Sequence, residues 1–434
     1  MIRLNFVWVG LCAALTSSCA VSLCDKDPTD PRCLTDQVPT DGLSVSPLRL
    51  SQSGVKVTVR LGDGPGTVTL KQGDKQLAMG SLSDGVLEAN LTGAMFQQAT
   101  IAPGAAQVVV SRSGKADEAQ HVRVYAEPQF AALVTYDVQP TGETPESVMV
   151  QPGGGLWAFQ SFPRASGQGR TQHLVSYQLS GGQLVSGGPA FGNYPFAPWT
   201  DRPARAAFLA EQSRIVAFGR DLYAGEDAIQ TDGCTLAPER CDVLAATLDF
   251  QKILGLTSQG SMIAVQTDAE VQVYKAGDTS PLGPRQTVTG GQSARAGQKI
   301  ALGDLNGDRN IDLITVATEG VHVFLGLGSG GFQWDATLGS KLTAALPGGV
   351  SAIACADVDR DGLADVVVAT GSTVQVITPL PNGGFVAAKP IAGLDQADHL
   401  TLGPVDGKTA SLPDIALSSS KLQRIGVILN ETSL

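Results

Sequence analysis

The chain has little of what enzymes and membrane spans draw on. Among 434 residues there are 4 histidines, 4 tryptophans and 6 tyrosines, and charged residues make up only 16%. No Cys-x-x-Cys pair occurs, so a thiolate zinc site or a thioredoxin-like redox pair has no support. No Gly-x-Ser-x-Gly elbow and no His-Glu-x-x-His helix is present. "GLGSGG" (326–331) fits the GxGxxG spacing, but neither a helix nor a βαβ unit surrounds it, so it is not a dinucleotide fingerprint. A net charge of −11 argues against nucleic acid, whose phosphates demand a basic face. No long segment carries apolar residues at helical spacing. What remains is 43% hydrophobic residues, 51 glycines and abundant Val, Thr and Ser, a composition that reads as all-β and sufficient for two or three domains.

The start, "MIRLNFVWVGLCAALTSSCAVSLC", has one basic residue, Arg3, and an apolar run from Phe6 to Leu15 that is too short to cross a bilayer, which predicts an export signal over 1–18. "LTSSC" resembles the lipobox of bacterial lipoproteins, with Leu15 four residues before the cysteine where that pattern has it three before. The resemblance implies lipidation of Cys19 and an outer-membrane-anchored protein held to the membrane by its lipid alone, while cleavage near Ala20 is the alternative. Export predicts an oxidising compartment, in which Cys24 with Cys33, and Cys234 with Cys241, are candidate local disulfides. Cys355, in the apolar run "AIACA", reads as a buried structural thiol.

Residues 19–42 form a tether: from 25 to 42 there are five Asp and three Pro with almost nothing apolar. From 43 to 127 short alternating runs such as "VKVTVRL" (55–61), "TVTLKQ", "AQVVVSR" and "HVRVYAE" alternate with turn residues, which predicts an immunoglobulin-like β-sandwich. From 128 to 434 the sequence repeats. "KIALGDLNGDRNIDLITVAT" (299–318) aligns with "SAIACADVDRDGLADVVVAT" (351–370), and more weakly with "HLTLGPVDGKTASLPDIALSS" (399–419). Spacings of 53 residues from Gly303 to Ala356 and 47 from Ala356 to Gly403, in units made of short strands, predict a β-propeller of six blades, or seven. Closure of the ring would bring "AALVTYDV" (131–138) beside "IGVILN" (425–430).

Within the repeat, oxygen-bearing side chains fall at every second position. Carboxylates confined so closely repel one another without a counter-charge, and calcium accepts six to eight oxygens in flexible geometry. The first loop offers Asp304, Asn306, Asp308, the carbonyl of Asn310, and Asp312; the second offers Asp357, Asp359, Asp361, the carbonyl of Leu363, and Asp365. An EF-hand is excluded, because position twelve is Thr315 or Val368 and a strand follows. The third copy has Pro404 at the first position, Lys408 at the fifth and its last Asp displaced to Asp414, so no ion is expected there.

The unit "GDLNGDRNIDLITVATEGVHVFLGLGSGGF", with its ends Gly330, Gly331, Phe332 and Gly383, Gly384, Phe385, resembles an FG-GAP or VCBS repeat, the blade of integrin-alpha-like propellers. The resemblance implies calcium in the Asp-rich loops. Outside the repeat, Phe191, Tyr194, Phe196, Trp199, Arg202 and Arg205 gather in "PAFGNYPFAPWTDRPAR" (189–205), either as a docking surface or as a satellite core folded over the propeller edge. The expected activity is binding of a protein or glycan partner as an adhesion or envelope scaffold module; the alternative is a polysaccharide lyase or glycosidase that uses the channel.

Overall fold

The computed structural model describes residues 42–434, apart from position 63, residues 139–142 and 164–169, most loops between 190 and 297, positions 319 and 382, residues 329–330 and 409–411, and the last two. Between 189 and 254 only strand backbones are described. The predicted signal, the tether, Cys19, Cys24 and Cys33 lie outside the described residues, as do Phe191, Tyr194, Phe196, Trp199 and Arg202; Arg205 opens a strand. The described chain divides into two units, one running to Tyr125 and including Asn306–Arg309, the other comprising the rest from Ala126 on.

The first unit is two sheets around one core. Ser44–Ser46, Gly54–Arg60 and Val86–Thr92 form the smaller sheet. The larger runs Arg49–Ser51, Glu118–Tyr125, Gly104–Ser111, Gly66–Gln72 and Lys75–Leu82, its first pair parallel. Period two explains the packing: Val57 and Val59 face Leu70, Leu91 and Val108 inside, while Lys56 on the opposite face meets Glu88 across the strand pair at 2.7 Å. A one-and-a-half-turn helix, α1 (Gly93–Gln98), plugs one end of the core with Phe96.

The second unit, from Ala126 on, is built of six four-stranded sheets. Blade 1 comprises Thr144–Val150, Leu156–Pro163, Arg170–Ser180 and Gln183–Pro189; blade 2, Arg205–Leu209, Arg214–Phe218, Ile229–Leu236 and Glu239–Leu248; blade 3, Gly255–Gln259, Met262–Gln266, Glu270–Lys275 and Gln286–Thr287. Blade 4 comprises Ile300–Gly303, Asp312–Ala317, Gly320–Gly326 and Phe332–Trp334; blade 5, Val350–Ala356, Asp365–Thr370, Thr373–Pro379 and Phe385–Ala387, extended by Ile391–Ala392. Blade 6 joins both ends of the unit: His399–Gly403, Asp414–Ser419 and Arg424–Ile428 are completed by Val134–Asp137, with Arg424 opposite Asp137 and Val427 opposite Val134. The first strand of each blade touches those of its two neighbours, and that of blade 6 touches that of blade 1, so the ring closes at six.

Second strands sit between neighbouring blades and are buried on both faces, which is why "DLITVA", "DVVVAT" and "DIALSS" are unbroken rather than alternating. Cores form between blades: Ile314, Val316 and Val323 of blade 4 pack with Ile353, Val366 and Val368 of blade 5, and Val367, Val374 and Val376 of blade 5 with Leu400, Ile415 and Leu417 of blade 6. The helix α2 (Ala336–Ala345) interrupts the all-strand pattern between blades 4 and 5. Asp335 caps it by accepting the Leu338 N–H at 2.8 Å, and Leu342 is fully buried against blade 4 and blade 5 residues. Its Leu338–Leu342 spacing and Asp335 cap were readable in the sequence, but three turns of helix are brief beside the strands that flank them.

Candidate metal centre

Each acidic loop joins the first strand of its blade to the second, and the cross-strand register is the same in three blades. Gly303 lies opposite Asp312, Ala356 opposite Asp365, and Gly403 opposite Asp414. The two extra residues of the third loop therefore lengthen the turn and leave the pairing unshifted. In each blade the last Asp fastens the loop to the sheet. Asp312 accepts the Leu305 N–H at 2.8 Å and the Gly326 N–H at 2.9 Å; Asp414 accepts the Asp406 N–H at 3.1 Å and the Asn430 N–H at 2.7 Å. Asp365 accepts the Val358 N–H at 2.9 Å. The residue corresponding to Gly326 and Asn430 is Pro379, which has no N–H to give.

The loop backbones also agree. The fourth and sixth positions have left-handed φ in both: Gly307 (79°) and Arg309 (67°) in blade 4, Arg360 (61°) and Gly362 (86°) in blade 5. The glycine and the arginine have exchanged places on one backbone path, and each loop holds one non-glycine residue in a region L-residues avoid.

The side chains differ in one decisive respect. In blade 4, Asn306 accepts the Asp308 N–H at 3.0 Å and its amide donates to Asp308 Oδ2 at 3.3 Å, so the loop supplies its own positive end. Asn310 lies over Gly328. In blade 5 the third position is Asp359, which accepts the Asp361 N–H at 3.1 Å but has no proton to return. Asp361 accepts from Leu363 N–H at 2.9 Å, and Asp357 from Gly362 N–H at 2.9 Å. Oxygens of Asp357, Asp359 and Asp361 come within 4.8 Å of one another, the one such three-residue group among the described residues. Asp361 and Asp365 are 0% exposed, Asp359 1%, and Asp357 Oδ1 is buried without a hydrogen-bond partner.

Electrostatics follow from this crowding. Burial, and then the Asp361 charge, push the Asp357 carboxyl up to about 6, against the backbone N–H groups of Gly362, Arg360 and Asp359. Burial, Asp359 and Asp361 raise Asp365 well above its ordinary range, with Thr378 and the Val358 N–H opposing. Cys355 is a buried free thiol whose titration is pushed far up by burial, Asp365 and Asp312, so it is unreactive. A divalent cation fits the blade 5 loop: hard oxygen donors, a buried oxygen lacking a partner, and repulsion that a positive charge would cancel. In the blade 6 loop the positive charge is internal, with Lys408 Nζ 2.7 Å from Asp406 Oδ2.

A family model described as an FG-GAP-like repeat matches residues 304–368, from the start of the blade 4 loop into the second strand of blade 5. The protein is a β-propeller carrying an FG-GAP-like repeat. A search of curated proteins finds no match to the chain. Similar solved structures include an α-L-arabinanase from Penicillium chrysogenum complexed with arabinobiose, 11% identical, covering 70% of this chain and 100% of that one with a TM-score of 0.45. Another is the β-propeller domain of Cps50 (Swd1) from Myceliophteria thermophila, 9% identical, covering 71% and 100% with a TM-score of 0.38. The repeat's Gly-Gly-Phe ends are tight turns. Leu327 N–H bonds to Gly331 O at 3.0 Å and Leu380 N–H to Gly384 O at 2.7 Å, and Phe332 and Phe385 pack against the blade cores.

His399 and His322 are packed within the propeller. His399 is buried and its Nδ1 accepts the Val148 N–H at 3.4 Å, tying blade 6 to blade 1. His322 stacks between Phe324 and Trp334. A transmembrane helix is absent among the described residues, since none is long and apolar enough to cross a bilayer.

Proposed function

We propose that this propeller is a calcium-stiffened binding module, exported and held to the cell envelope by a lipid on Cys19, which docks a protein or glycan partner. The observation that supports the calcium reading is the blade 5 loop, where three carboxylates converge, two of them buried, and Asp357 Oδ1 lacks any hydrogen-bond partner. Asp357, Asp359, Asp361 and Asp365 would hold the ion, which supplies the positive charge that the chain does not. In blade 4, Asp304, Asn306, Asp308 and Asp312 form a second site, weaker because Asn306 already meets Asp308. The ion's role is to fix loop geometry on the face that carries the strand-one to strand-two connections.

The test is thermal unfolding with excess calcium and with chelator. Calcium is expected to raise Tm by several degrees, an effect abolished by Asp361→Ala and reduced by Asp308→Ala; coincident melting curves in the unmodified protein would remove the calcium reading. Mass analysis of the envelope-extracted protein checks the anchor, since an acylated Cys19 adds a diacylglyceryl mass. Cys234 and Cys241 are Cα partners across the blade 2 hairpin, a separation that disulfide geometry accepts. A peptide map without reductant should therefore recover the two joined.

A further inference from the structure

We infer that the centre of the propeller is a binding site for an uncharged polyhydroxyl ligand of saccharide size. A cavity of about 540 Å³ lies where the first strands converge, lined by Val148–Val150 of blade 1, Leu256–Gln259 of blade 3, Ala354–Ala356 of blade 5 and His399–Gly403 of blade 6. That volume is typical of small-molecule sites, on the order of 300–1,000 Å³. Its lining continues into the turns that follow the first strands at Gln151–Gly153 and Gly260, and into Pro404. It therefore reaches the face on which the acidic loops stand.

The chemistry of the wall selects the ligand. Although the chain carries 41 acidic and 30 basic residues, no Asp, Glu, Lys or Arg is among the described lining residues. The polar groups are the amides of Gln151, Gln259 and Gln298, the hydroxyls of Thr257, Ser258 and Thr401, the His399 imidazole and the Cys355 thiol. An ionic ligand would meet no counter-charge among these residues, whereas hydroxyl groups can be both donors and acceptors to such side chains. The remaining wall is Val, Leu, Met and Ala, against which the C–H faces of a sugar ring can pack.

Gln298 carries the argument further. It is 3% exposed; its N–H donates to Asp398 O at 2.8 Å and its carbonyl accepts from Ile353 N–H at 3.0 Å, so the backbone is fixed between blades 5 and 6. Its side-chain Oε1, however, is buried with no hydrogen-bond partner. An amide beside a cavity with an unused buried acceptor gains a hydrogen bond if its side chain turns to meet a ligand hydroxyl. Beside it in the wall, His399 Nδ1 accepts the Val148 N–H at 3.4 Å, which orients the ring between blades 6 and 1.

This inference rests on the reading of the protein as a binding module, but not on calcium. The experiment is calorimetric titration of the full chain in calcium with D-glucose, L-arabinose and maltose, against D-glucuronate and D-glucosamine, with the calcium-induced Tm gain recorded on each sample. Saturable binding of at least one neutral sugar is expected, at least tenfold tighter than either charged one. Thr401→Trp, which fills the cavity, should abolish binding, and Gln298→Leu should weaken it at least fivefold, both with the calcium-induced gain retained. The site is overturned if the unmodified protein shows the calcium gain yet binds none of the three neutral sugars, if charged and neutral sugars bind alike, or if neither substitution changes the Kd. Sugar binding without a calcium gain would overturn the metal reading and leave the cavity standing.

Discussion

Asn306 and Asp359 occupy one position on one backbone path, and the single amide between them changes what each loop needs. Asn306 donates to Asp308, whereas Asp359 adds a further carboxylate to Asp357 and Asp361. The sign of a substitution follows. Asp361→Asn should raise Tm in chelator, because it removes the charge that raises Asp357 and Asp365, and it should shrink the gain from calcium; a loss of Tm in chelator would contradict repulsion in this loop. The pH dependence runs the same way. Asp357 titrates at about 6 when folded against an ordinary 3.8, so between these values the native state keeps a proton that the unfolded chain has released. Metal-free stability therefore falls as pH rises from about 4 through 6, by about 3 kcal/mol for this group at 1.36 kcal/mol per unit. Asp365 adds to the effect in the same direction. Melting in chelator from pH 4.5 to 8 should show the decline, and the calcium-induced gain should be larger at pH 7.5 than at pH 5.

At the level of the element, the ninth-position Asp is a fastener before it is a ligand. In blade 4 it takes backbone N–H groups from the loop and the third strand, in blade 6 the displaced Asp414 takes them from the loop and from Asn430 just past that strand, and in blade 5 Pro379 withholds the second backbone donor. Pro379→Ala would restore that donor. The expected result is a gain of about 1.5–3 kcal/mol in chelator, the range for a hydrogen bond to a charged group, with weaker calcium binding as Asp365 becomes better satisfied; chemical denaturation and calcium titration of the variant check both halves. Gly326→Pro should do the reverse in blade 4. Asp304 through Asp312 and Asp357 through Asp365 were legible as oxygen-rich loops between strands from spacing alone. Which loop satisfies itself was legible only in Asn306 against Asp359; the rest depends on Pro379, fourteen residues beyond Asp365 in sequence and adjacent to it only once the hairpin has formed.

For the whole molecule, stability lies between blades. A side chain at Gly303 would place its Cβ 2.7 Å from Cys355 Cβ and 2.8 Å from Ala364 Cβ, and the Ala364 N–H bonds to Asp304 O at 2.8 Å. Blades 4 and 5 thus approach at the root of both acidic loops. Gly303→Ala should cost about 1–3 kcal/mol through overpacking and also weaken calcium's effect on Tm, whereas an equally tight spot away from the loops would affect stability alone; paired melts with calcium and chelator separate the two. Ring closure is likewise non-local. Val134–Asp137 completes the blade begun at His399, the partnership expected for 131–138 and 425–430 from the requirement that a repeat of blades close into a ring, while its residue-by-residue register is set by the strands that meet there.

The sequence by itself determined the class of element, the loop chemistry and the rejection of an EF-hand, because each is written in local spacing where local geometry dictates the outcome, and the repeat, because its copies align directly. Tertiary structure alone decided that the ring has six blades, that blade 5 is where three carboxylates converge, and that the first strands enclose a cavity whose described lining carries no charge, with Gln298 at its wall. Those properties arise from which strands become neighbours and from how far water is excluded between them, and both are set by the closed ring.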